Sequence, residues 1–154
     1  MSANIPGWSP EIERGFKEIL FRFLEEIQCT RAALYLYGPD EKFLLATQYG
    51  FGRRDVLAIE HGVQEQMVRK VRDLNGVPAA FNRKHDLGPL ADYLKSAGNS
   101  KLLLVPLIAG EEIIGFVDAR DKGRKRTFER TDVANAKKIA AAMVEFATIR
   151  FRLF

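Results

Sequence analysis

Apolar and polar residues change period several times along the chain, and each change marks an element. Ile12, Phe16, Ile19, Leu20, Phe23, Leu24 and Ile27 recur at steps of three and four, an apolar stripe over four helical turns. Ser9-Pro10-Glu11 in front of them offers a cap, a proline suited to the first helical position and a charge suited to the positive helix end. Beyond Cys29 the period shortens. RAALYLY, starting at Arg31, and KFLLATQY, starting at Lys42, read as strands separated by Gly38-Pro39-Asp40, an antiparallel hairpin closed by Gly50-Phe51-Gly52. Residues 53–74 read as helical in part, with Val63, Met67, Val68, Val71 and Leu74 the best-spaced set and Asn75-Gly76 the stop. VPAAF, from Val77, predicts a short strand that Pro78 consigns to a sheet edge. Residues 82–88 are polar and irregular, and 89–97 predict a short helix ended by Gly98-Asn99. KLLLVPLIA and EEIIGFVDAR, on either side of Gly110-Glu111, are the clearest strand signals and predict a second hairpin. After a loop over 121–127, a last helix is expected to begin at Glu129 or Thr127 and run to about Arg150. Its stripe is Val133, Ala136, Ala140, Met143, Ala147 and Phe151, widened by Ile139, Val144, Phe146 and Ile149.

This order predicts an α+β fold: a central antiparallel sheet of five to six strands, the N- and C-terminal helices on one face, and a short helix with loops over the other. Residues 1–8 are expected to form a flexible arm and 9–154 a single domain. At 154 residues, folding removes roughly 70% of the unfolded chain's surface from water, enough for a core without staples. The lone Cys29 excludes an intramolecular disulfide and fits a reducing compartment. No basic stretch followed by an apolar run opens the sequence, and no apolar run approaches the ~20 residues needed to span a bilayer. A cytoplasmic protein without a membrane partner is expected. The formal charge of +4 permits contact with nucleic acid or anionic lipid, but acids and bases are mostly interleaved. Arg120, Lys122, Arg124, Lys125 and Arg126 are the exception. No aromatic residue interleaves that run and no recognition helix adjoins it, so it reads as a solvated loop and nucleic acid is not expected.

Catalytic chemistry is not supported. Cys29 stands at the end of the first helix, more like a small core residue than a nucleophile. His61 and His85 lie 24 residues apart without ligand partners, and neither a phosphate-binding glycine loop nor a nucleophile elbow is present. Strand alternation places Tyr35 and Tyr37 on one face of the first strand, and Phe116, Asp118 and Arg120 on one face of the last. Asp118, a carboxylate in an apolar strand, either binds a ligand donor or pairs with Arg120 at the sheet's solvated end; pairing is the favoured reading.

Leu103-Leu104-Val105-Pro106-Leu107, the Gly110-Glu111 turn, Ile114-Gly115-Phe116-Val117 and the step from Phe128 to Asp132 together resemble the GAF family of small-molecule sensory domains. Tyr49-Gly50-Phe51 and Gly76-x-Pro78 match it in kind and order, so the resemblance spans roughly residues 10–150. It implies a ligand pocket on the sheet face opposite the terminal helices, roofed by Phe81 to Leu87. With the strand positions, the expected ligand-binding set is Tyr35, Tyr37, Phe81, Asn82, Arg83, His85, Asp86, Leu87, Phe116 and Asp118. The ligand itself, and whether there is a cofactor, is not readable from these residues.

Some GAF domains bind cyclic nucleotides through an Asn-Lys pair and a Phe-x-x-x-Asp-Glu step. Arg83 and Val133 depart from those patterns and weaken that alternative. The family's sulfoxide reductases need several cysteines, bilin attachment needs one in the pocket, and haem would rest on His85 alone. The resemblance also implies homodimerisation through the terminal helices, for which Phe16, Phe23, Ile139, Met143, Phe146 and Ile149 are the expected interface. Phe21, Phe151, Leu153 and Phe154 also lie partly or wholly off the main stripes. The expected function is a non-catalytic signalling module that binds a small molecule and dimerises. The alternative is a dimerisation or protein-interaction module with no ligand. Either would act on a separate signalling protein or on an output domain beyond this chain.

Overall fold

A computed structural model describes residues 5–38, 41–54 and 65–150. Val63 and His61, the Pro39-Asp40 turn, the first residues of the expected arm, and Phe151, Leu153 and Phe154 lie outside the described residues.

Helix α1 (Pro10–Arg22) starts where the sequence places it: the Ser9 hydroxyl accepts the Ile12 amide at 3.3 Å, and Pro10 opens the first turn. It ends in one wide turn, Phe23–Ile27, with Gln28 in the left-handed region at φ 60°. Five strands follow in the spatial order β2-β1-β5-β4-β3, every pair antiparallel. These are β1 (Cys29–Tyr37), β2 (Phe43–Tyr49), β3 (Ala79–Phe81), β4 (Leu102–Ala109) and β5 (Glu112–Lys122). Both expected hairpins are present, β1–β2 and β4–β5, and the pairing of β1 with β5 joins them into one sheet. β3 is a three-residue edge strand with Pro78 just outside it. Between these strands lie α2 (Glu65–Asp73), α3 (Lys84–Leu87) and α4 (Leu90–Ser96), and α5 (Arg130–Glu145) closes the chain with a wide turn over Phe146–Arg150. The irregular segment expected over 82–88 therefore contains a helical turn.

The central strands are apolar on both faces because both faces are covered. On one side, Phe16, Leu20, Phe23 and Ile27 of the first helical segment and Ala136, Ile139, Met143 and Ala147 of the last pack on Leu34, Leu36, Leu103, Val105 and Val117. On the other, Met67, Val71, Leu87, Leu90 and Leu94 pack on Ala33, Tyr35, Leu102, Leu104 and Phe116. Each of the larger aliphatic and phenyl side chains here is worth about 1.5–3 kcal/mol on burial.

The N-terminal segment is packed from Ile5 onward: Ile5 is buried, and the Trp8 ring stacks on Phe16 at 5.6 Å. The entry to α5 is braced more strongly than its charge pattern indicates. Asp132 and Glu129 form a reciprocal capping box, Phe128 is buried, and Asp132 also takes the Lys122 ammonium at 2.8 Å. At Gly115, β5 meets β1 so closely that a Cβ would run into the Tyr35 carbonyl oxygen and crowd Leu36. Both strands there are held on both sides, so neither can retreat.

Gly115→Ala should therefore lower the unfolding free energy by about 1–3 kcal/mol, the overpacking range. Gly110→Ala, in the open β4–β5 turn at φ 65°, should cost about 1 kcal/mol from its left-handed backbone alone. Urea titration measures both, and a Gly115→Ala midpoint equal to the parent's would contradict the close approach.

Candidate functional site

Alternation along β1 and β5 puts Tyr35, Phe116, Asp118 and Arg120 on the sheet face opposite the terminal helices, as expected. Tyr35 and Phe116 are register partners, and their rings stack at 4.8 Å with 14° between planes. Phe43 meets Phe116 edge-on at 5.4 Å, and the half-buried Tyr37 meets Phe43 at 5.2 Å. Over this floor sit Met67, Val71, Leu87, Leu90 and Leu94, each no more than 1% exposed. The described part of this face is thus a packed apolar layer.

A polar cluster is buried at one end of it. Asp118 and Arg120, two residues apart on the same face, form a two-pronged ion pair: Arg120 Nε donates to Oδ1 at 2.9 Å and Nη2 to Oδ2 at 2.7 Å. The guanidinium carbon lies over the rings of Phe51 and Tyr93, 5.1 Å from each centroid. Nη2 also donates to the Tyr93 hydroxyl at 3.3 Å and Nη1 to Asn99 Oδ1 at 3.4 Å. Burial pulls the Arg120 pKa down, but the Asp118 charge and hydrogen bonds outweigh it and the net direction is upward, so Arg120 stays charged. The pairing itself matches the favoured reading of the sequence. Its location does not: both side chains are at most 1% exposed, because α4 and Phe51 cover an end of the sheet that was expected to be solvated. Arg31, opposite Arg120 in the β1–β5 register, donates to the same Asn99 Oδ1 at 3.3 Å and to the Ala97 carbonyl at 2.9 Å.

The expected pocket residues divide: Tyr35, Tyr37, Phe81, Leu87 and Phe116 meet in this apolar layer, whereas the polar ones do not open a pocket into it. Asn82 spends its amide on the α5 entry: Nδ2 donates to the Phe128 carbonyl at 2.9 Å, and Oδ1 accepts the Phe128 amide at 2.8 Å. Arg83 and His85 point into solvent, each about four-fifths exposed, flanking Asp86 at 3.8 and 3.6 Å. The first turn of α3 lifts these polar groups outward while turning Leu87 into the core. Phe81 is half-buried, with Lys70 Nζ 4.9 Å from its ring centroid. Asp118 is committed to Arg120.

The expected dimer interface also needs correction. Phe16, Phe23, Ile139 and Met143 have no exposed surface, because they form the core between α1, α5 and the sheet of their own chain. Ile149 is 62% exposed, and the half-buried Phe146 packs edge-on against Phe16 at 4.8 Å. These two, with Ile19 and Ala142, line a groove of about 210 Å³. Phe21 is also exposed, leaning on the Tyr49 ring.

Tyr93 and Asn99 belong to the buried network and were missed. No local motif marks a tyrosine in an amphipathic helix, or an asparagine after a turn glycine, as partners of a distant arginine. Among the described residues no group of three His, Cys, Asp or Glu side chains is placed to hold a metal, and no helix is long and apolar enough to cross a membrane. Cys29 is buried, and burial is the chief cause that pushes its thiol up to about 12.

No protein-family model matches the sequence, and no curated protein matches it. Solved structures do. One is described as a domain of a two-component sensor histidine kinase protein from Sinorhizobium meliloti: TM-score 0.74, 18% identity, 94% of each chain covered. The GAF domain/HD domain protein from Geobacter sulfurreducens also superimposes at 0.74, with 14% identity, over 94% of this chain and 95% of that one. The chain has the GAF-domain fold. A third structure, the GAF3 domain of a Synechocystis protein in its photoproduct state, agrees at TM-score 0.72 with 18% identity, over 92% and 96% of the two chains. At these identities the likeness speaks for the GAF fold alone, so any site must be argued from this chain's own residues.

Asp118→Asn strands a buried guanidinium and should cost about 3–5 kcal/mol, whereas the apolar pair Asp118→Leu/Arg120→Met should cost markedly less. Chemical denaturation of both variants checks this, and an Asp118→Asn loss below about 1 kcal/mol would contradict it. Buried, and with its thiol pushed up to about 12, Cys29 is held as the unreactive thiol at pH 8. A chromogenic disulfide reagent should therefore label the native protein only as fast as it opens, and the urea-unfolded protein at once.

Proposed function

We propose that this chain is a non-catalytic regulatory GAF domain that acts by self-association through its terminal helices, with the sheet face beneath α2–α4 packed by its own side chains. The observation that carries this reading is the state of that face: Tyr35, Phe116, Asp118 and Arg120 are each at most 1% exposed and already paired with one another. A catalytic role finds little to work with. The one thiol is held protonated, and the carboxylate beneath the roof is neutralised by Arg120.

The terminal helices supply the output. Ile149, exposed beside the Ile19–Phe146 groove, offers apolar surface to the same groove of a second copy, an isologous contact of the kind that closes into a dimer. Because β1 and β5 carry helices on both faces, a shift of packing on one face changes the balance of helix arrangements on the other, a population shift. GAF structures such as the sensor-kinase domain and the photoproduct-state domain support a sensory setting. The partner would then be a cytoplasmic signalling protein or an output domain joined to this one.

A second reading is favoured by the polar cluster of Arg120, Tyr93 and Asn99: α4 moves aside, and a small molecule takes up the donors it leaves. Light scattering on the eluting protein at tens of micromolar decides the first reading. A mass of twice 17.4 kDa is expected, falling to the monomer value in Ile149→Asp. A parent protein that elutes as a monomer removes self-association. A bound metabolite detected by native mass spectrometry would favour the second reading.

A further inference from the structure

We propose that the cleft where β1 begins and β5 ends is a binding site for a small molecule carrying a run of phosphates. The cleft has a volume of about 570 Å³, within the range of small-molecule sites. It lies outside the packed face, at one end of the central strands. Six of its lining residues are cationic: Arg31, Lys101, Lys122, Arg124, Lys125 and Arg126. Among the described residues Asp121 is its one carboxylate. The lining's formal charge of +5 exceeds the +4 of the whole chain, so the rest of the molecule is close to neutral. A concave wall of one sign focuses potential and raises the local concentration of anions.

Internal partners leave much of this charge available. Asp121 serves as a brace: its oxygens accept Asn99 Nδ2 at 2.6 Å, the Lys101 amide at 2.8 Å and the Ser100 amide at 3.2 Å. Lys122 is committed to Asp132. Among the described residues, Lys101, Arg124 and Lys125 form no ion pair.

The loop is also held in shape against its own repulsion. Asp121, Arg124 and Lys125 all have left-handed backbones, at φ 48°, 62° and 57°, a conformation that non-glycine residues adopt only when their surroundings impose it. The Gly123 amide donates to the Gln28 carbonyl at 3.0 Å, and Arg126 Nε donates back to the Gly123 carbonyl at 3.1 Å while its Nη2 donates to Gln28 Oε1. A like-charged segment fixed in this way has already met the ordering cost of meeting an anion.

The chemistry of the lining narrows the ligand. Guanidinium forks and ammonium groups match phosphate oxygens, and several phosphates in a row satisfy more of them than one. Among the described residues no aromatic side chain lines the cleft, so they offer no stacking platform of the kind that single-stranded nucleic acid uses. Asn99 connects the site to the interior: its Nδ2 holds Asp121 in the cleft wall while its Oδ1 accepts from Arg31 and Arg120.

Inorganic triphosphate, titrated calorimetrically into the whole protein at about 50 mM salt, is the minimal probe. Saturable one-to-one binding is expected, weakened at least about tenfold in Arg124→Glu/Lys125→Glu. The control Lys137→Glu/Lys138→Glu makes the same change in net charge on the exposed face of α5, and should stay within about twofold of the parent. Circular dichroism verifies that both variants fold. Absence of saturable binding, or equal weakening in the two variants, overturns the proposal. So does an oligothymidine that binds through the same residues more tightly than triphosphate, since that result assigns the cleft to nucleic acid.

Discussion

The ion pair between Asp118 and Arg120 constrains everything on its side of the sheet. Two opposite charges sit two residues apart on the central strand β5, out of reach of water. Such a burial is tolerable only if each remaining hydrogen-bonding position is answered, because an unpaired group there costs more than the pair gains. The guanidinium therefore dictates its neighbours. The Tyr93 hydroxyl and Asn99 amide must reach it, which places α4 and the turn after it, and the rings of Phe51 and Tyr93 pack against it. The roof of the sheet is positioned by that requirement as much as by Leu90 and Leu94. A buried pair of this kind is weak evidence for stability and better evidence for one arrangement over its competitors.

The elements were legible because their signals are local. Period-four apolar spacing in Ile12–Ile27, a Ser-Pro start and a two-residue turn at Gly110-Glu111 need no knowledge of the rest of the chain, and the first helix and the second hairpin stand where those patterns put them. The candidate site was less legible because its residues were assigned by face and by family likeness, and neither fixes direction within a loop. Asn82 was expected in a pocket and is turned to the Phe128 backbone; Arg83 and His85 were expected there and face water. The broad apolar helices illustrate a related ambiguity. A stripe too wide for one sheet face can mean an interface or a deeper core, and for Phe16, Phe23, Ile139 and Met143 it means core. Only exposure, readable at Ile149 but not in the sequence, separates the two.

The three surfaces of functional interest are mechanically joined. Gly115 lets β5 lie hard against β1, so displacement of one central strand is felt by the other. Asn99 joins the buried pair to Asp121 and hence to the basic cleft. Lys122 at the end of β5 holds Asp132, which caps α5, so the same strand that carries the ion pair also anchors the helix whose far end exposes Ile149. A regulatory domain needs coupling of this kind between a sensing surface and an output surface, carried by elements with few ways to move.

The claim at the centre of this account is that Asp118 and Arg120 hold α4 down over the sheet. Amide hydrogen exchange, compared between the parent and Asp118→Leu/Arg120→Met, tests it directly. The account predicts that amides of Leu90–Ser96 exchange at least about tenfold faster in the variant while those of β1 and β5 keep their protection, a local opening of the roof. Unchanged exchange in α4, or acceleration spread evenly over the whole molecule, would contradict it.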